Sequence, residues 1–422
     1  FESLMKIKIH RGLDQIGGCI TEIWTDSSRV FIDFGQNLPS NGKAVTPEED
    51  ALMVADIIGN NEKEHQAVFY THAHEDHVGL FPYIPFDQFI SEGGKELLLI
   101  KYKTLLEGYE IAREKCGKQR VPDRSEEERL EECCRRTKTL IDKLETFRTW
   151  KRTGRGDYPN PIMVGNIRIT PFFCCHSIYD AHMFLIEAEG QRFWHTGDYR
   201  GHGYMSKGQF LMLRKYATNI DVLITEGTML SREDKAISEY RVSMEMIDVM
   251  QAFKYVFVLT SATDIERLGS INHATKKTKK PLCIMSLFMK RTMELFTERE
   301  GNLGRGLFSF SPLFYTDRLY SKLRNRGFTM VVGPSQGDKV KPLLNRLPQE
   351  ETILIYSSWN GYYMREEQVR ANAKYKEFRE MFHNVVDIHT SGHVDRDAIK
   401  KVIGMMHPKE VICIHKEADA RL

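Results

Sequence analysis

A segment of six residues, H-A-H-E-D-H at residues 72–77, concentrates side chains that bind metal ions. In an extended segment, residues two apart point the same way, so His72 and His74 can hold one metal ion. The turn that follows directs Asp76 and His77 toward a second ion. One histidine alone is more often a satisfied polar group, but three histidines and an aspartate so close together favour ligation. The segment therefore predicts the beginning of a two-metal site.

Four ligands do not complete two metal sites, so we expect further ligands at the ends of later strands. Three candidates follow apolar, strand-like runs, namely His176, Asp198 and His415. A carboxylate can bridge two cations through its two oxygens whereas an imidazole cannot, so Asp198 is the expected bridging ligand. Two cations about 3.5–4 Å apart can activate a bound water and stabilise an in-line displacement at phosphate. The residue types thus indicate metal-dependent hydrolysis.

Short strands in the first half of the chain must position these residues. Alternating and β-branched residues over 7–34, broken by two turn signals, predict an antiparallel meander. A helix over 47–58 precedes a strand over 67–70, and helical spacing with dense charge over 92–116 and 125–150 predicts two consecutive helices. The remaining strands of this half are predicted over 162–164, 167–173, 182–187 and 191–194.

After Asp198 the pattern changes to strands that alternate with helices, as a parallel sheet requires. A stretch rich in glycine and serine over 301–311 predicts a long surface loop and not a domain boundary. The second half is therefore expected to be an α/β unit. Its strands are predicted over 221–225, 255–260, 282–285, 330–332, 352–356, 385–388 and 410–414.

The composition is that of an ordinary globular protein. The chain has 422 residues, 28% charged and 41% hydrophobic, with a formal net charge of +2, which excludes collagen-like and disordered classes. No apolar run approaches the ~20 residues of a membrane-spanning helix. The N-terminal residues show no basic and then apolar leader, and the cysteines form no C-x-x-C motif, which favours a cytoplasmic protein. The balanced charge neither indicates nor excludes a nucleic-acid partner.

Further motifs connect the metal-binding residues to a known family. The H-x-H-x-D-H segment, the isolated His176 and the Gly-Asp pair ending at Asp198 resemble the metallo-β-lactamase superfamily. The I-T-E-G-T segment around Glu226 resembles motif A of the β-CASP nucleases. The T-S-G-H segment ending at His393 resembles motif B, and His415 resembles motif C. The order and spacing are similar to the ribonuclease J family over nearly the whole chain.

The resemblance implies a mixed α+β / α/β fold. It implies a four-layer αββα metallo-β-lactamase domain over residues 1–229, with a helical insertion at about 95–157. An inserted α/β domain of β-CASP type would occupy 230–386, and residues 387–422 would return to the first domain.

The resemblance also implies which residues hold the metals. One zinc ion would be held by His72, His74 and His176. The other would be held by Asp76, His77 and His415, with Asp198 and a shared hydroxide between the two ions. Manganese is compatible with the same ligands.

Catalytic and substrate-binding roles follow from the same resemblance. Glu226 would sit beside the metal-bound histidines as an acceptor that orients them, and His393 would contact the scissile phosphate and protonate the leaving oxygen. Ser391 and the N–H of Gly392 would line the phosphate site, and Ser261 lies in a segment that resembles an RNA-contacting turn. The implied catalytic residues are Asp76, Glu226 and His393, and the implied substrate-binding residues are Ser261, Ser391, Gly392 and His393.

Plainer interpretations of several residues stay open at this point. His393 could be an ordinary residue at a helix N-terminus, and Glu226 a solvated carboxylate at a strand end. Ser261 could belong to a turn whose helix is capped by Asp264. Trp359, in the S-S-W-N-G-Y-Y segment, could stack a nucleobase or pack in a core.

RNA is the expected substrate, with single-stranded DNA as an alternative, and no membrane partner is expected. Motif A has E-G-T where ribonuclease J usually has D-S-T, and the chain ends soon after His415, so exonuclease, endonuclease and homodimer remain open. Two other functions compete. One is hydrolysis of a small-molecule ester, thioester or lactone, which the roughly 190 residues between Asp198 and His393 disfavour. The other is a catalytically silent binding protein.

Overall fold

The computed structural model describes residues 4–39, 45–118, 124–152, 158–232 and 235–422. Within these ranges the strands are β1 Lys6–Arg11, β2 Ile20–Trp24, β3 Ser28–Phe34, β4 His65–Phe69, β5 Asp87–Ser91, β6 Arg148–Trp150, β7 Ile162–Val164, β8 Ile167–Phe173, β9 His182–Ala188, β10 Gln191–His195, β11 Val222–Glu226, β12 Tyr255–Leu259, β13 Leu282–Ile284, β14 Leu313–Phe314, β15 Phe328–Val332, β16 Thr352–Tyr356, β17 Val385–Asp387 and β18 Glu410–Ile414.

The α-helices connect and cover these strands. In chain order they are α1 Pro47–Gly59, α2 Glu75–Val78, α3 Glu92–Gly117, α4 Arg124–Glu145, α5 Ser206–Tyr216, α6 Glu239–Ala252, α7 Ile265–Thr278, α8 Leu287–Glu300, α9 Tyr320–Arg326, α10 Gly337–Leu344, α11 Gly361–Met364, α12 Glu366–Ala371, α13 Ala373–Glu380 and α14 Arg396–Met406.

The described strands form three six-stranded sheets in a mixed α/β fold. Sheet I has the order β1-β2-β3-β4-β5-β6 and sheet II the order β18-β11-β10-β9-β8-β7. Sheet III, in the order β14-β13-β15-β12-β16-β17, is parallel throughout. The chain leaves sheet II after β11, builds all of sheet III, and returns to pair β18 parallel with β11.

Sheets I and II share one apolar core. Buried side chains of sheet I, such as Val30 and Phe69, lie in the same cluster as Phe184 and Ile414 of sheet II. Apolar residues of α5 and α14 pack on the other face of sheet II. The other face of sheet I packs against α1, α3 and α4 in a cluster that continues into sheet III and its helices. Among the described helices, none is long and apolar enough to span a lipid bilayer.

The local predictions hold for most of the first half of the chain. The meander over 7–34 is confirmed by the antiparallel strands β1, β2 and β3. The first helix is confirmed as α1, where Thr46 and Glu49 form a capping box. The helical pair is confirmed as α3 and α4, and Arg291 of α8 contacts Glu107 of α3 at 2.6 Å. Residues 119–123 and 153–157 of the predicted insertion lie outside the described residues.

Two predictions are wrong, one about where a helix ends and one about the exposure of a loop. The helix predicted over 125–150 ends at Glu145, and Arg148–Trp150 forms an edge strand beside β5. The buried Trp150 ring packs against Phe69 and Phe184, and aromatic residues favour such a half-buried sheet position. The stretch over 301–311 is not a purely surface loop, because Phe308 and Phe310 are buried in the core.

Candidate functional site

The H-A-H-E-D-H segment begins three residues after the last residue of β4. The backbone is extended at His74, which is the N-cap of the one-turn helix α2. The N–H of His77 donates to the carbonyl of His74 at 3.0 Å, which closes that turn. The backbone is therefore extended at His74 and turns after it, which separates His72 and His74 from Asp76 and His77.

Three histidines form the first cluster of donors. The ring nitrogens of His72, His74 and His176 lie within 4.8 Å of one another, and His176 Nε2 is 3.3 Å from His74 Nδ1. Nε2 of His72 is buried and has no hydrogen-bond partner among the described residues. Burial lowers the pKa of His74 to about 4, so its ring is neutral and can donate a lone pair. This donor set fits a metal ion of the zinc or manganese type.

Asp198 lies between the first cluster and a second one. Its Oδ2 is 3.2 Å from His77 Nε2, 3.3 Å from His415 Nε2 and 3.8 Å from His176 Nε2. Burial alone would raise the pKa of Asp198, but His415 and His77 hold that pKa well below its ordinary value. Asp76 joins the second cluster, because its Oδ2 lies 3.2 Å from His415 Nε2. The seven candidate ligands therefore converge.

Asp33, on strand β3, supports this arrangement and was not selected from the sequence. Its carboxylate accepts hydrogen bonds from the N–H of Thr71 at 2.7 Å and the hydroxyl of Thr71 at 2.8 Å. It also lies 2.7 Å from Nδ1 of His77, which leaves Nε2 of that ring for a ligand. The sequence signal that could have indicated Asp33 is a single carboxylate in the apolar run V-F-I-D-F. In the structure, all seven residues of β3 are buried.

Cys19 is a second residue that the sequence did not indicate. Its sulfur lies within 4.8 Å of ring nitrogens of His77 and His415. Burial raises the pKa of the Cys19 thiol well above its usual value, which disfavours the thiolate form that metals require. The donors that fit a second metal are therefore the histidines and carboxylates.

Glu226 and His393 form a pair beside the donor clusters. Glu226 is the last residue of β11, and its Oε1 accepts a hydrogen bond from the N–H of Tyr199 at 2.8 Å. Nδ1 of His393 lies 3.0 Å from Glu226 Oε2 and 3.6 Å from Asp198 Oδ2. The Glu226 side chain is fully buried, so the solvated-carboxylate interpretation of this residue is wrong. Its hydrogen-bond partner among the histidines is His393, and its carboxylate also lies within 4.8 Å of a ring nitrogen of His415.

The predicted substrate-binding residues adjoin this pair. The hydroxyl oxygen of Ser391 accepts a hydrogen bond from the N–H of His393 at 3.1 Å. A Cβ at Gly392 would lie 2.3 Å from Oγ of Ser177, so only glycine fits this close approach. Ser261 caps its own loop through the N–H of Thr263 at 3.2 Å. The plainer N-cap interpretation of the nearby Asp264 also holds, because its side chain accepts from the N–H of Arg267.

A cavity of about 860 Å³ joins these residues. Its lining includes the candidate ligands His74, Asp76, Asp198 and His415, and all four predicted substrate-binding residues.

The partly exposed Trp359 lies on the same lining. The guanidinium groups of Arg232 and Arg365 lie 4.1 and 5.2 Å from its ring centroid. The Tyr362 and Tyr375 rings stack beside it with centroids 4.4 Å apart. Trp359 is thus part of the cleft wall and not of a closed core.

Comparison with known proteins gives a distant but nearly full-length similarity. No family model matches the chain. Ribonuclease J of Helicobacter pylori is 22% identical over 98% of this chain and 56% of its own length. Ribonuclease J of Mycoplasma genitalium is 20% identical over 98% of this chain and 68% of its own length.

Among solved structures, a protein of unknown function from Enterococcus faecalis has a TM-score of 0.70 at 16% identity. The match covers 99% of this chain and 95% of that one, which shows a shared fold. The chain spans about half the length of the Helicobacter relative. Over nearly its own whole length, it is distantly similar to ribonuclease J.

Proposed function

We propose that this chain is a metal-dependent, ribonuclease J-like hydrolase that cleaves phosphodiester bonds in RNA. One observation carries the proposal. Oδ2 of Asp198 lies within 3.8 Å of ring nitrogens from four histidines on four different segments of the chain. This cluster opens into a cavity that the motif B residues also line. The near full-length similarity to ribonuclease J supports the choice of RNA as substrate.

The proposal includes the four-layer αββα metallo-β-lactamase arrangement with an inserted β-CASP domain. Its support is the shared core between sheets I and II, with helices on their other faces. The return of β18 to sheet II after the whole of sheet III supports an inserted unit. We therefore propose domain limits of 1–229, 230–386 and 387–422.

In this proposal, His72, His74 and His176 would hold one zinc or manganese ion. Asp76, His77 and His415 would hold the second, and Asp198 would contribute to both sites. When bound, two such ions lower the pKa of a water molecule and neutralise phosphate oxygens. Asp33 fixes the orientation of His77 through Nδ1.

His393 is the proposed proton donor to the leaving oxygen. Glu226 accepts a hydrogen bond from Nδ1 of His393, which leaves Nε2 to act on the substrate. Ser391 and Gly392 adjoin the same ring and line the cavity, so they are placed to contact phosphate. Ser261 and Trp359 line the same cavity, where they would contact the rest of a bound single-stranded RNA.

The test is cleavage of RNAs that differ only at the 5′ end, in the presence of zinc or manganese. Mononucleotides from the 5′-monophosphate RNA alone would identify a 5′ exonuclease, and internal fragments would identify an endonuclease. If the protein binds two metal equivalents and still leaves the RNA uncleaved with either zinc or manganese, the proposal is refuted.

Two variants separate metal binding from proton transfer. We expect His74→Ala to lose both cleavage and bound metal, because this side chain belongs to the first cluster. We expect His393→Ala to lose cleavage while two metal equivalents remain, measured by elemental analysis. Retained cleavage in the His393 variant would refute the acid role.

A further inference from the structure

Three consecutive carbonyl groups, those of residues 390–392, each accept a hydrogen bond from a side chain of a different segment. Nη2 of Arg267 donates to the first at 3.0 Å. Nε2 of His202 donates to the second at 2.6 Å, and Nδ1 of His176 donates to the third at 2.8 Å. Because a carbonyl oxygen only accepts, these contacts assign the proton to the named nitrogen of each ring.

The direction of these carbonyls fixes the direction of the neighbouring N–H groups. The described chain has no cis peptide bond, and in a trans peptide the C=O and the next N–H point to opposite sides. The carbonyls point toward protein side chains, so the N–H groups of Ser391, Gly392 and His393 point away from them. The N–H of His393 donates to Ser391 Oγ. No described residue accepts from the N–H groups of Ser391 and Gly392.

Those two N–H groups belong to residues that line the cavity beside His393. Successive backbone N–H groups that face one concave space attract an anion, because each contributes a partial positive charge. The hydrogen bonds to the carbonyls of residues 390–392 hold each peptide plane, and so hold the N–H groups of Ser391 and Gly392 in their direction. The three side chains that make these contacts therefore fix the direction of these N–H groups.

Buried contacts hold His202 and Arg267 in place. Arg267 is 1% exposed and also donates to Ser357 Oγ at 2.8 Å and to Glu239 at 2.8 Å. Burial lowers the pKa of His202 to about 4, so its ring is neutral and its single N–H is directed at Ser391 O. His202 comes four residues after Asp198, on the segment that follows β10.

We propose that His202 and Arg267 are positioning residues that hold the N–H groups of Ser391 and Gly392 toward the cavity as a cradle for phosphate oxygens. The identity of the anion rests on the proposed function. The orientation of the cradle rests only on the hydrogen bonds of residues 390–392.

The test compares His202→Leu with His202→Gln, using inorganic phosphate as the probe. Leucine removes the donor to Ser391 O, whereas glutamine keeps an amide N–H of similar reach. We expect phosphate to bind about three- to tenfold more weakly to the leucine variant, which is the effect of one lost hydrogen bond. The glutamine variant should recover most of that affinity. Binding is followed by phosphorus NMR on the metal-loaded protein, with metal content and melting temperature measured on each sample.

His273→Leu is the matched control, since His273 is also half-buried and bonded to Ser243 but does not line the cavity. It should bind phosphate like wild type. If the leucine variant is unstable, His202→Asn replaces it, because the shorter amide does not reach Ser391 O. Equal phosphate affinity in wild type and the donor-deficient variant, at equal metal content, would overturn the inference. Intact RNA together with the expected ranking of phosphate affinities would refute the proposed function and leave the cradle standing.

Discussion

Oε2 of Glu226 lies 3.0 Å from Nδ1 of His393, and the carboxylate is fully buried whereas the ring is 21% exposed. An ionised carboxylate only accepts hydrogen bonds, so Nδ1 of the ring carries the proton that is shared. The opposite nitrogen, Nε2, is then available to the cavity. The buried acid therefore fixes the orientation of the His393 ring.

Replacing Glu226 with Gln should lower kcat for RNA cleavage by about 10- to 100-fold, the usual effect of losing a partner that orients a functional histidine. The amide can present an N–H to Nδ1 and so reverse the tautomer of His393. Steady-state kinetics and metal analysis on the same samples measure the effect. Glu187→Gln, at a sheet II carboxylate outside the cavity lining, is the control. Unchanged kcat in the Glu226 variant would show that the pair has no role in the reaction.

Replacing Asp33 with Asn should weaken metal binding by about 10- to 100-fold. The change keeps one oxygen to accept from the N–H of Thr71 but replaces the oxygen that faces Nδ1 of His77 with a donor, while the side chain keeps its volume. Competition against a chelator measures the affinity. Asp87→Asn, at an exposed ion pair with Arg148, should leave metal affinity unchanged. Equal affinity in the Asp33 variant would mean that His77 needs no support from β3.

Replacing Arg200 with Met should lower the free energy of unfolding by about 3–5 kcal/mol, because the substitution removes the cation beside the buried Asp264 and Glu266 and leaves Glu239 paired only with Arg267. Arg200 is fully buried and pairs with Glu239 at 3.0 Å, Asp264 at 2.9 Å and Glu266 at 2.8 Å. Urea denaturation measures the loss. Arg241→Met breaks an exposed pair on α6, and its cost should stay near ~0.5 kcal/mol. Similar costs for both variants would contradict the prediction.

His202 should make the folded protein less stable in mild acid. Burial, assisted by Arg200 and opposed by Glu239 and Asp395, lowers the pKa of His202 from 6.5 to about 4. Between pH 6.5 and about 4 the unfolded chain binds the proton more readily, so the free energy of unfolding falls as the pH falls. The melting temperature of wild type should therefore drop more steeply over this range than that of His202→Gln. Parallel curves would exclude this contribution.

The candidate ligands that the sequence predicts are those marked by a local motif or by the end of an apolar strand. The H-A-H-E-D-H motif places four candidate ligands within six residues, and its turn after His74 follows from local geometry. His176, Asp198 and His415 were predicted because each follows an apolar strand, and strand ends gather at one edge of a sheet. The structure brings these seven residues together.

The parts that could not be predicted depend on contacts between distant segments. Asp33 is one acid in an apolar strand, and only the pairing of β3 with β4 brings it to Thr71 and His77. His202 has no motif around it, and its partner Ser391 is 189 positions away. The strand at Trp150 was missed because the charged helix before it continues the helical pattern, while the partner strand β5 is remote in sequence.

The residues that β11 and β18 pair are separated by about 190 positions, and all of sheet III lies between them. Because contacts between such distant residues form slowly, this pairing should be a late step in folding. Its entropic cost is moderate, since that cost grows only with the logarithm of the loop length. His415 follows β18, so six of the seven candidate ligands emerge from the ribosome well before the last. A nascent chain thus holds an incomplete ligand set while sheet III folds. On the proposed ligand assignment, the second metal site is therefore completed only after sheet III has been synthesised, whereas the three histidines of the first cluster all precede that sheet.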